Sequence, residues 1–177
     1  MKTNITALCT SLLLASSLWL TAADAPKPES TLPASSEFAR MKSLVGSWTG
    51  KTDMGQGLVD IKLDYRLIAG GTVLEERCFA GTPHEMVTMY YDQAGKLAMT
   101  HYCVLGNRPG MKFKSSDAKT ITFDFDATCG VNPKKESHMH ALSITFDDAD
   151  TITTRCQGIM EGKEMPEHPT TLKRVRL

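Results

Sequence analysis

From residue 59 onward, apolar and polar residues alternate along much of the chain with a period of two. The first clear example is the segment 59–67, in which Val59, Ile61, Leu63, Tyr65 and Leu67 alternate with charged residues. Successive side chains of a β-strand point to opposite faces, so this pattern predicts a strand with one face in a core and one in water. The alternation returns at residues 72–79, 84–91, 96–104, 111–116, 119–127, 138–146, 151–160 and 168–176.

Turn-forming residues separate these segments. Gly70-Gly71 predicts a hairpin, and further reversals are expected at residues 92–95, 106–110, 116–117, 147–150 and 161–163. With a strand around Trp48, about ten strands are joined by connections too short for crossover helices, which predicts an antiparallel meander. A meander of this length with one apolar face is expected to close, because closure removes unpaired edges.

One short helix is predicted before the strands. In the segment Ser36 to Val45, an apolar face is formed by Phe38, Met41, Leu44 and Val45. Ser36 is the expected N-cap. The predicted fold class is therefore all-β, a single antiparallel meander β-barrel with a short N-terminal helix.

The N-terminus has the pattern of a secretory signal peptide. Lys2 precedes an apolar run from Ile5 to Leu20, and small residues follow it. We expect residues 1–23 to be the signal peptide, with cleavage after Ala25 as the alternative. Residues 24–35 are rich in proline and serine and predict a flexible leader, so 36–177 is the expected barrel domain. The expected location is periplasmic or secreted, with no membrane span.

The net charge bears on the class of binding partner, and the cysteine spacing bears on metal binding and disulfides. The formal net charge is zero, which argues against a nucleic-acid partner. Four cysteines follow the signal peptide, and their spacing shows no CxxC metal motif. Cross-strand pairing places Cys78 and Cys103 about 9 to 10 Å apart, beyond disulfide reach. Any disulfide would then involve Cys129, with Cys103 or Cys156 as its partner.

Two motifs resemble a known group of barrels. Gly46-Ser47-Trp48, between the helix and the first strand, resembles the Gly-x-Trp motif of lipocalin-like calycin barrels, a group that includes fatty-acid-binding and nitrobindin-like proteins. The runs 81–90, 100–103 and 106–109 resemble a group of uncharacterised exported bacterial domains of that calycin-like type. The resemblance covers residues 36–177 and implies a barrel with a central cavity, without implying a reaction.

Cross-strand pairing predicts which side chains face the cavity. The hairpin at Gly70-Gly71 places Glu76 opposite Tyr65 on the inner face. A loop at residues 92–95 would place Met86 opposite His101 and His84 opposite Cys103, with the imidazoles as diagonal neighbours. A buried carboxylate is costly without a partner, so we expect His84 or His101 to pair with Glu76.

The predicted ligand site combines this polar cluster with apolar wall. Met86, Met99 and Tyr90 supply the wall, because flexible thioethers suit adaptable pockets. His140 is expected near one end of the cavity, ahead of His138, and the loop residues Asn107 and Arg108 are expected at its mouth. The hypothesis is an interior site for a small, partly apolar or amphipathic molecule.

Three alternatives remain open from the sequence: a metal or haem protein, an enzyme, and a structural protein. His84, His101, His140 and Glu76 have the ligand types for zinc, iron or copper, although they come from separate strands. Haem would need an axial ligand, for which His168 is the candidate, although Pro166 and Pro169 lie beside it. An enzyme could use the same cluster, but no Gly-x-Ser-x-Gly motif is present. The third is a structural envelope protein with a filled barrel.

Overall fold

The computed structural model describes residues 33–53, 55 and 57–176. The predicted signal peptide, and the leader before residue 33, lie outside the described residues. The strands are β1 (Gly46–Asp53), β2 (Leu58–Ile68), β3 (Val73–Cys78), β4 (Met86–Gln93), β5 (Lys96–Tyr102), β6 (Gly110–Ser116), β7 (Thr120–Phe125), β8 (His138–Phe146), β9 (Thr151–Met160), β10 (Lys163–Glu164) and β11 (His168–Arg174).

These strands form a closed antiparallel barrel, which confirms the predicted fold class. Strands β1 to β8 each pair with the next along the chain. Strand β8 pairs with β9, β9 with β11, and β11 returns to β1, so ten strands close the ring. The two-residue β10 pairs with the end of β9 outside this ring. Closure leaves the ten ring strands without a free edge.

The predicted helix covers one end of the barrel. Helix α1 spans Ser36–Met41 and continues as a 3₁₀ turn over Lys42–Leu44. Ser35, and not Ser36, is the N-cap, because its Oγ accepts a hydrogen bond from the Phe38 N–H at 3.0 Å. Ser35 also donates twice to Asp92, at 2.7 Å each, which joins the cap to the end of β4. No helix within the described ranges is long and apolar enough to cross a bilayer.

The helix end of the barrel is filled with side chains. Phe38, Met41 and Leu44 are buried there with Trp48, as predicted, whereas Val45 is exposed. Other members of this core are Leu74, Tyr90, Leu97, Met99, Met111, Ile121, Phe123, Ile144, Ile152 and Leu172. Each of these side chains is at most 2 % exposed, which is the packing expected of a protein interior.

The strand register was predicted correctly for one hairpin and wrongly for another. Strands β2 and β3 pair as expected, with Tyr65 opposite Glu76. Strands β4 and β5 are shifted by two residues, so Thr88, and not Met86, lies opposite His101. The turn is only Ala94-Gly95, both with positive φ (50° and 76°), which is the tight two-residue hairpin geometry. A shift by an even number of residues leaves each side chain on the same face of the sheet, so the predicted inner face of β4 and β5 is correct.

Candidate functional site

The barrel encloses a cavity in the half away from the helix. Its volume is about 440 Å³, and no residue of α1 lines it. Strands β1 to β5, β8, β9 and β11 contribute its walls, and Phe79, Val104, Leu105, Met165 and Pro166 come from loops at the open end. A volume of this size suits a small organic molecule.

Most of the cavity wall is apolar. Leu63, Leu142 and Ile144 are buried in the core and also line the cavity. Four methionines add flexible thioether surface, namely Met86, Met139, Met160 and Met165. Val104 and Leu105 are each about half exposed at the open end. The wall therefore offers an apolar, adaptable surface that is reached from one side.

A row of polar side chains crosses this apolar wall. Tyr65 on β2, Glu76 on β3, Thr88 on β4 and His101 on β5 lie directly opposite one another in successive strand pairs. Tyr90, one inward position along β4, reaches the same row, because its hydroxyl donates to Glu76 Oε2 at 2.8 Å. Four of these polar residues, Glu76, Thr88, Tyr90 and His101, line the cavity, and Tyr65 is buried behind them.

Glu76 is a desolvated carboxyl group inside the barrel. Burial raises its pKa, while the neighbouring hydroxyls of Tyr65, Tyr90 and Thr88 work in the opposite direction. The side chain keeps some accessible surface, but that surface faces the cavity and not bulk water. No lysine or arginine in the described part of the chain contributes to its pKa or pairs with it. Glu76 is therefore a buried acid without a cationic partner.

Glu75, the residue before Glu76, has a carboxylate that is paired with cations. Glu75 points to the outer face, where Arg66 binds its carboxylate through two hydrogen bonds of 2.7 and 3.0 Å. The Arg66 hydrogen bonds are the main reason that the pKa of Glu75 is lowered, and Arg77 adds to the effect. Two adjacent carboxylates thus have opposite surroundings, and only the inner one lacks compensation by a cation.

His101 is neutral in this setting. The residue is 5 % exposed, and burial lowers the pKa of its imidazole to about 4. Its Nδ1 lies 2.9 Å from Thr88 Oγ1. We assign the hydrogen to Nδ1, because the Thr88 hydroxyl then donates toward Glu76 and accepts from His101. This assignment leaves Nε2 as a hydrogen-bond acceptor.

Tyr65 completes the polar row with an unsatisfied group. The residue is 3 % exposed, and its hydroxyl makes no well-aligned hydrogen bond with any described residue, although it lies beside Glu76. Burial, followed by the charge of Glu76, raises its pKa well above 10. Buried polar atoms are rarely left without a partner, so this hydroxyl adds an uncompensated polar group behind the cavity wall.

Three cysteines also line the cavity, and all four described cysteines are free. They are Cys78, Cys103 and Cys156. Burial, followed by the charge of Glu76, raises the pKa of Cys78 and Cys156 to about 12. Cys156 has accessible surface only because it faces the cavity, within surrounding protein. The thiols of Cys78 and Cys156 are therefore protonated at neutral pH, which makes them poor nucleophiles.

The predicted site residues separate into two groups. Glu76, Met86, Tyr90 and His101 line the cavity together. His84 does not, because β4 begins only at Met86 and His84 lies exposed in the preceding turn. That turn is held by hydrogen bonds from the N–H groups of Thr82 and Glu85, so the strand cannot start at residue 84 as predicted.

His140 lies outside the cavity, and His138 lies inside it. The register of β8 shifts between Met139 and Ala141, and this bulge turns His140 toward a groove on the outer surface. His138 lines the cavity and is 1 % exposed. It donates from Nδ1 to the Glu136 carbonyl at 2.7 Å and accepts from His140 Nδ1 at 3.3 Å, so its hydrogen bonds are complete.

Of the remaining candidates, His168 lines the cavity, whereas Met99, Asn107 and Arg108 do not. Met99 is buried in the filled half of the barrel and does not line the cavity. Asn107 donates to the Ser137 carbonyl at 2.8 Å and so joins the β5–β6 loop to the β7–β8 loop. Arg108 is exposed and is also absent from the lining. His168 lines the open end of the cavity.

The four candidate metal ligands do not converge. Glu76 and His101 lie on the cavity wall, whereas His84 is in the exposed turn and His140 is in the outer groove. Within the described ranges, no group of three or more histidine, cysteine, aspartate or glutamate side chains is arranged to hold a metal ion. The geometry therefore offers no preformed metal centre from these residues.

Two residues of the polar row were missed by the sequence analysis as site residues. Thr88 shares the inner face with Met86 and Tyr90, so the alternation itself could have selected it. Tyr65 was placed correctly opposite Glu76, and a hydroxyl beside a buried carboxyl group could have marked it. The sequence does not show that the whole row is buried, because this burial depends on closure of the barrel.

Comparison with known proteins does not assign the chain to a family. No protein-family model matches the sequence, and no curated protein matches it. The closed antiparallel barrel is compatible with a calycin-like fold. The geometry of the cavity is therefore the basis for a function.

Proposed function

We propose that the protein is an exported, calycin-like β-barrel that binds a small, partly apolar molecule in its cavity. The N-terminal sequence pattern supports export, and Gly46-Ser47-Trp48 before a closed meander supports the calycin likeness. The observation that carries ligand binding is a cavity of about 440 Å³ with an unpaired acid, Glu76, on its wall.

A filled structural barrel would not need this arrangement. Side chains close-pack the helix end of the barrel, so the fold is able to fill its interior. In the other half, space remains around Glu76 and His101, and Glu76 has no cationic partner among the described residues. Unfilled volume and buried polar groups both reduce stability, and a bound molecule would compensate for both.

The shape of the cavity indicates the form of the ligand. Methionine and aliphatic side chains cover most of the wall, whereas the polar groups lie together on strands β2 to β5. A ligand that satisfies both surfaces has an apolar body and a polar group at one position. Entry is from the end opposite the helix, where Val104, Leu105 and Met165 are partly exposed.

Two neighbouring residues of β9 provide a matched test. Gly158 lines the cavity, and a Cβ at this position would lie 3.6 Å from the His138 carbonyl oxygen, an ordinary contact. The Gly158→Leu side chain would therefore occupy the cavity with little effect on the backbone. Gln157 faces the outer groove, so Gln157→Leu places the same side chain on the opposite face.

Binding of the neutral fluorescent probe N-phenyl-1-naphthylamine measures the effect. We expect Gly158→Leu to weaken binding by at least about tenfold, because it removes volume that the probe needs, and Gln157→Leu to bind like the unaltered protein. Circular dichroism and thermal unfolding report whether both variants fold. Equal probe binding by the two folded variants, or no binding by the unaltered protein, would contradict the proposal.

A further inference from the structure

The charge of the cavity is of one sign. Within the described residues, the lining includes the acids Glu76 and Asp53 but no lysine or arginine. Its three histidines are His101, His138 and His168, of which His101 is neutral at pH 7 because burial lowers its pKa to about 4. A ligand in the cavity therefore meets a carboxyl group without meeting a fixed cation.

We propose that the polar group of the ligand is a protonated amine that binds to Glu76, so that the cavity selects amphiphilic amines over alcohols and carboxylates. This inference rests on the proposed ligand-binding function and names the class of ligand for the same site. It follows from the placement of the acceptor groups and from the absence of a basic side chain among the described lining residues.

The acceptors around Glu76 match the donors of an ammonium group. Tyr90 donates to Oε2 of Glu76 at 2.8 Å, which leaves Oε1 as a further acceptor. His101, two strands away in the same polar row, also lines the cavity, and its Nε2 is an acceptor. An ammonium group has three N–H donors and no acceptor, so one amine can satisfy acceptors that the described residues leave unpaired.

The same arrangement disfavours the other polar groups. A carboxylate ligand would bring a second negative charge beside Glu76 in surroundings of low dielectric constant, where like charges repel strongly. An alcohol would donate one hydrogen bond but would leave the Glu76 charge uncompensated. A charge-assisted hydrogen bond to the amine is stronger than a neutral one, and it restores the balance of charge.

Three probes of equal chain length separate these cases. Octylamine, octanol and octanoate each have eight carbon atoms and differ in the polar group, and one of the eight carbons of octanoate is its carboxylate carbon. Isothermal titration of the purified protein at pH 7 measures their affinities. We expect octylamine to bind at least about tenfold more tightly than octanol, and octanoate to bind more weakly than octanol.

Two substitutions test whether Glu76 is the residue that causes the preference for octylamine. Glu76→Gln keeps the size of the side chain and an oxygen that accepts from Tyr90, but removes the charge. We expect it to bring octylamine affinity down to about that of octanol, while octanol affinity changes by less than about threefold. Asp53→Asn removes a charge from the lining at the end of β1, and we expect it to retain the preference for octylamine.

The outcomes distinguish the inference from the function on which it rests. If octanol and octanoate bind as tightly as octylamine, the cavity binds small molecules, but the amine assignment is wrong. The assignment also fails if Glu76→Gln retains the preference, since another group would then supply it. If none of the three probes binds, and N-phenyl-1-naphthylamine does not bind either, both the amine assignment and the proposed function are wrong.

Discussion

His101 and Glu76 are buried ionisable residues whose pKa values move in opposite directions. Burial lowers the pKa of the His101 imidazole to about 4 and raises the pKa of the Glu76 carboxyl group. In each case, the low-dielectric surroundings favour the neutral form. The polar row is therefore a site in which charge is costly, and this cost makes its interactions with a charged ligand strong.

The His101 shift predicts a loss of stability in mild acid. The unfolded chain protonates His101 below about pH 6.5, whereas the folded protein does so only below about pH 4. The unfolded state thus binds more protons between these values, and stability falls as the pH is lowered through this window. Across the whole window, the free energy of unfolding falls by about 3 kcal/mol.

Urea unfolding at several pH values tests this expectation when His101→Gln is compared with the unaltered protein. Glu76 changes stability in the opposite sense, because the folded protein protonates its raised-pKa carboxyl group first, but this effect is present in both proteins. The free energy of unfolding of the unaltered protein, minus that of His101→Gln, should therefore fall as the pH is lowered from about 6.5 to 4. A constant difference would show that His101 is not a buried neutral group.

At the scale of elements, two strand glycines have different surroundings. Gly50 lies on β1 opposite Leu172 of β11, and an added Cβ would collide with the Thr171 carbonyl oxygen. Gly158 lies on β9 beside open cavity, where an added Cβ meets only the His138 carbonyl oxygen at an ordinary distance. The close approach at Gly50 belongs to the β1–β11 pairing, which closes the barrel.

Alanine at these two positions should have unequal effects. We expect Gly50→Ala to lower the free energy of unfolding by about 1 to 3 kcal/mol, because β1 and β11 must separate to admit a methyl group. Gly158→Ala should be neutral or stabilising by up to about 1 kcal/mol, since it reduces the freedom of the unfolded chain. Urea unfolding measures both values, and equal destabilisation would contradict the assigned closing contact.

At the scale of the whole molecule, Arg174 holds the last strand against the helix end. Its guanidinium donates to the carbonyl oxygens of Val45 and Ser43 at 2.7 Å each, and its Cζ lies 4.2 Å from the Trp48 ring centroid. A Cβ on Gly46 would lie 3.2 Å from the Arg174 Nη1, and Gly46 has a φ of 125°. Glycine at position 46 therefore gives room for this contact between the first strand and the last strand.

Arg174→Lys should weaken the closed end of the barrel. Lysine keeps the charge but lacks the planar fork that reaches two carbonyls while stacking on a ring. We expect a loss of about 1 to 3 kcal/mol in stability and faster hydrogen exchange over residues 36–45. Arg176→Lys is the control, because Arg176 is exposed, and should change stability by less than about 0.5 kcal/mol. Unchanged exchange in Arg174→Lys would refute this anchoring role.

The sequence by itself determined the order of the ten ring strands, the helix and the inner faces of the β2–β3 and β4–β5 hairpins. These features depend on period-two alternation and on local turn chemistry, which a single segment contains. The β2–β3 register was predictable because Gly70-Gly71 marked its turn, and Glu76 was therefore placed correctly opposite Tyr65. The inward faces of Met86 and His101 followed from the same alternation.

Only the tertiary structure decided which polar residues meet. The late start of β4 removes His84 from the cavity, the bulge in β8 turns His140 outward, and the two-residue turn pairs His101 with Thr88. The free volume beside Glu76 depends on side chains from eight strands that are distant in sequence. Alternation records the face of each residue, whereas register, bulges and free volume depend on the packing of strands that meet only when the barrel closes.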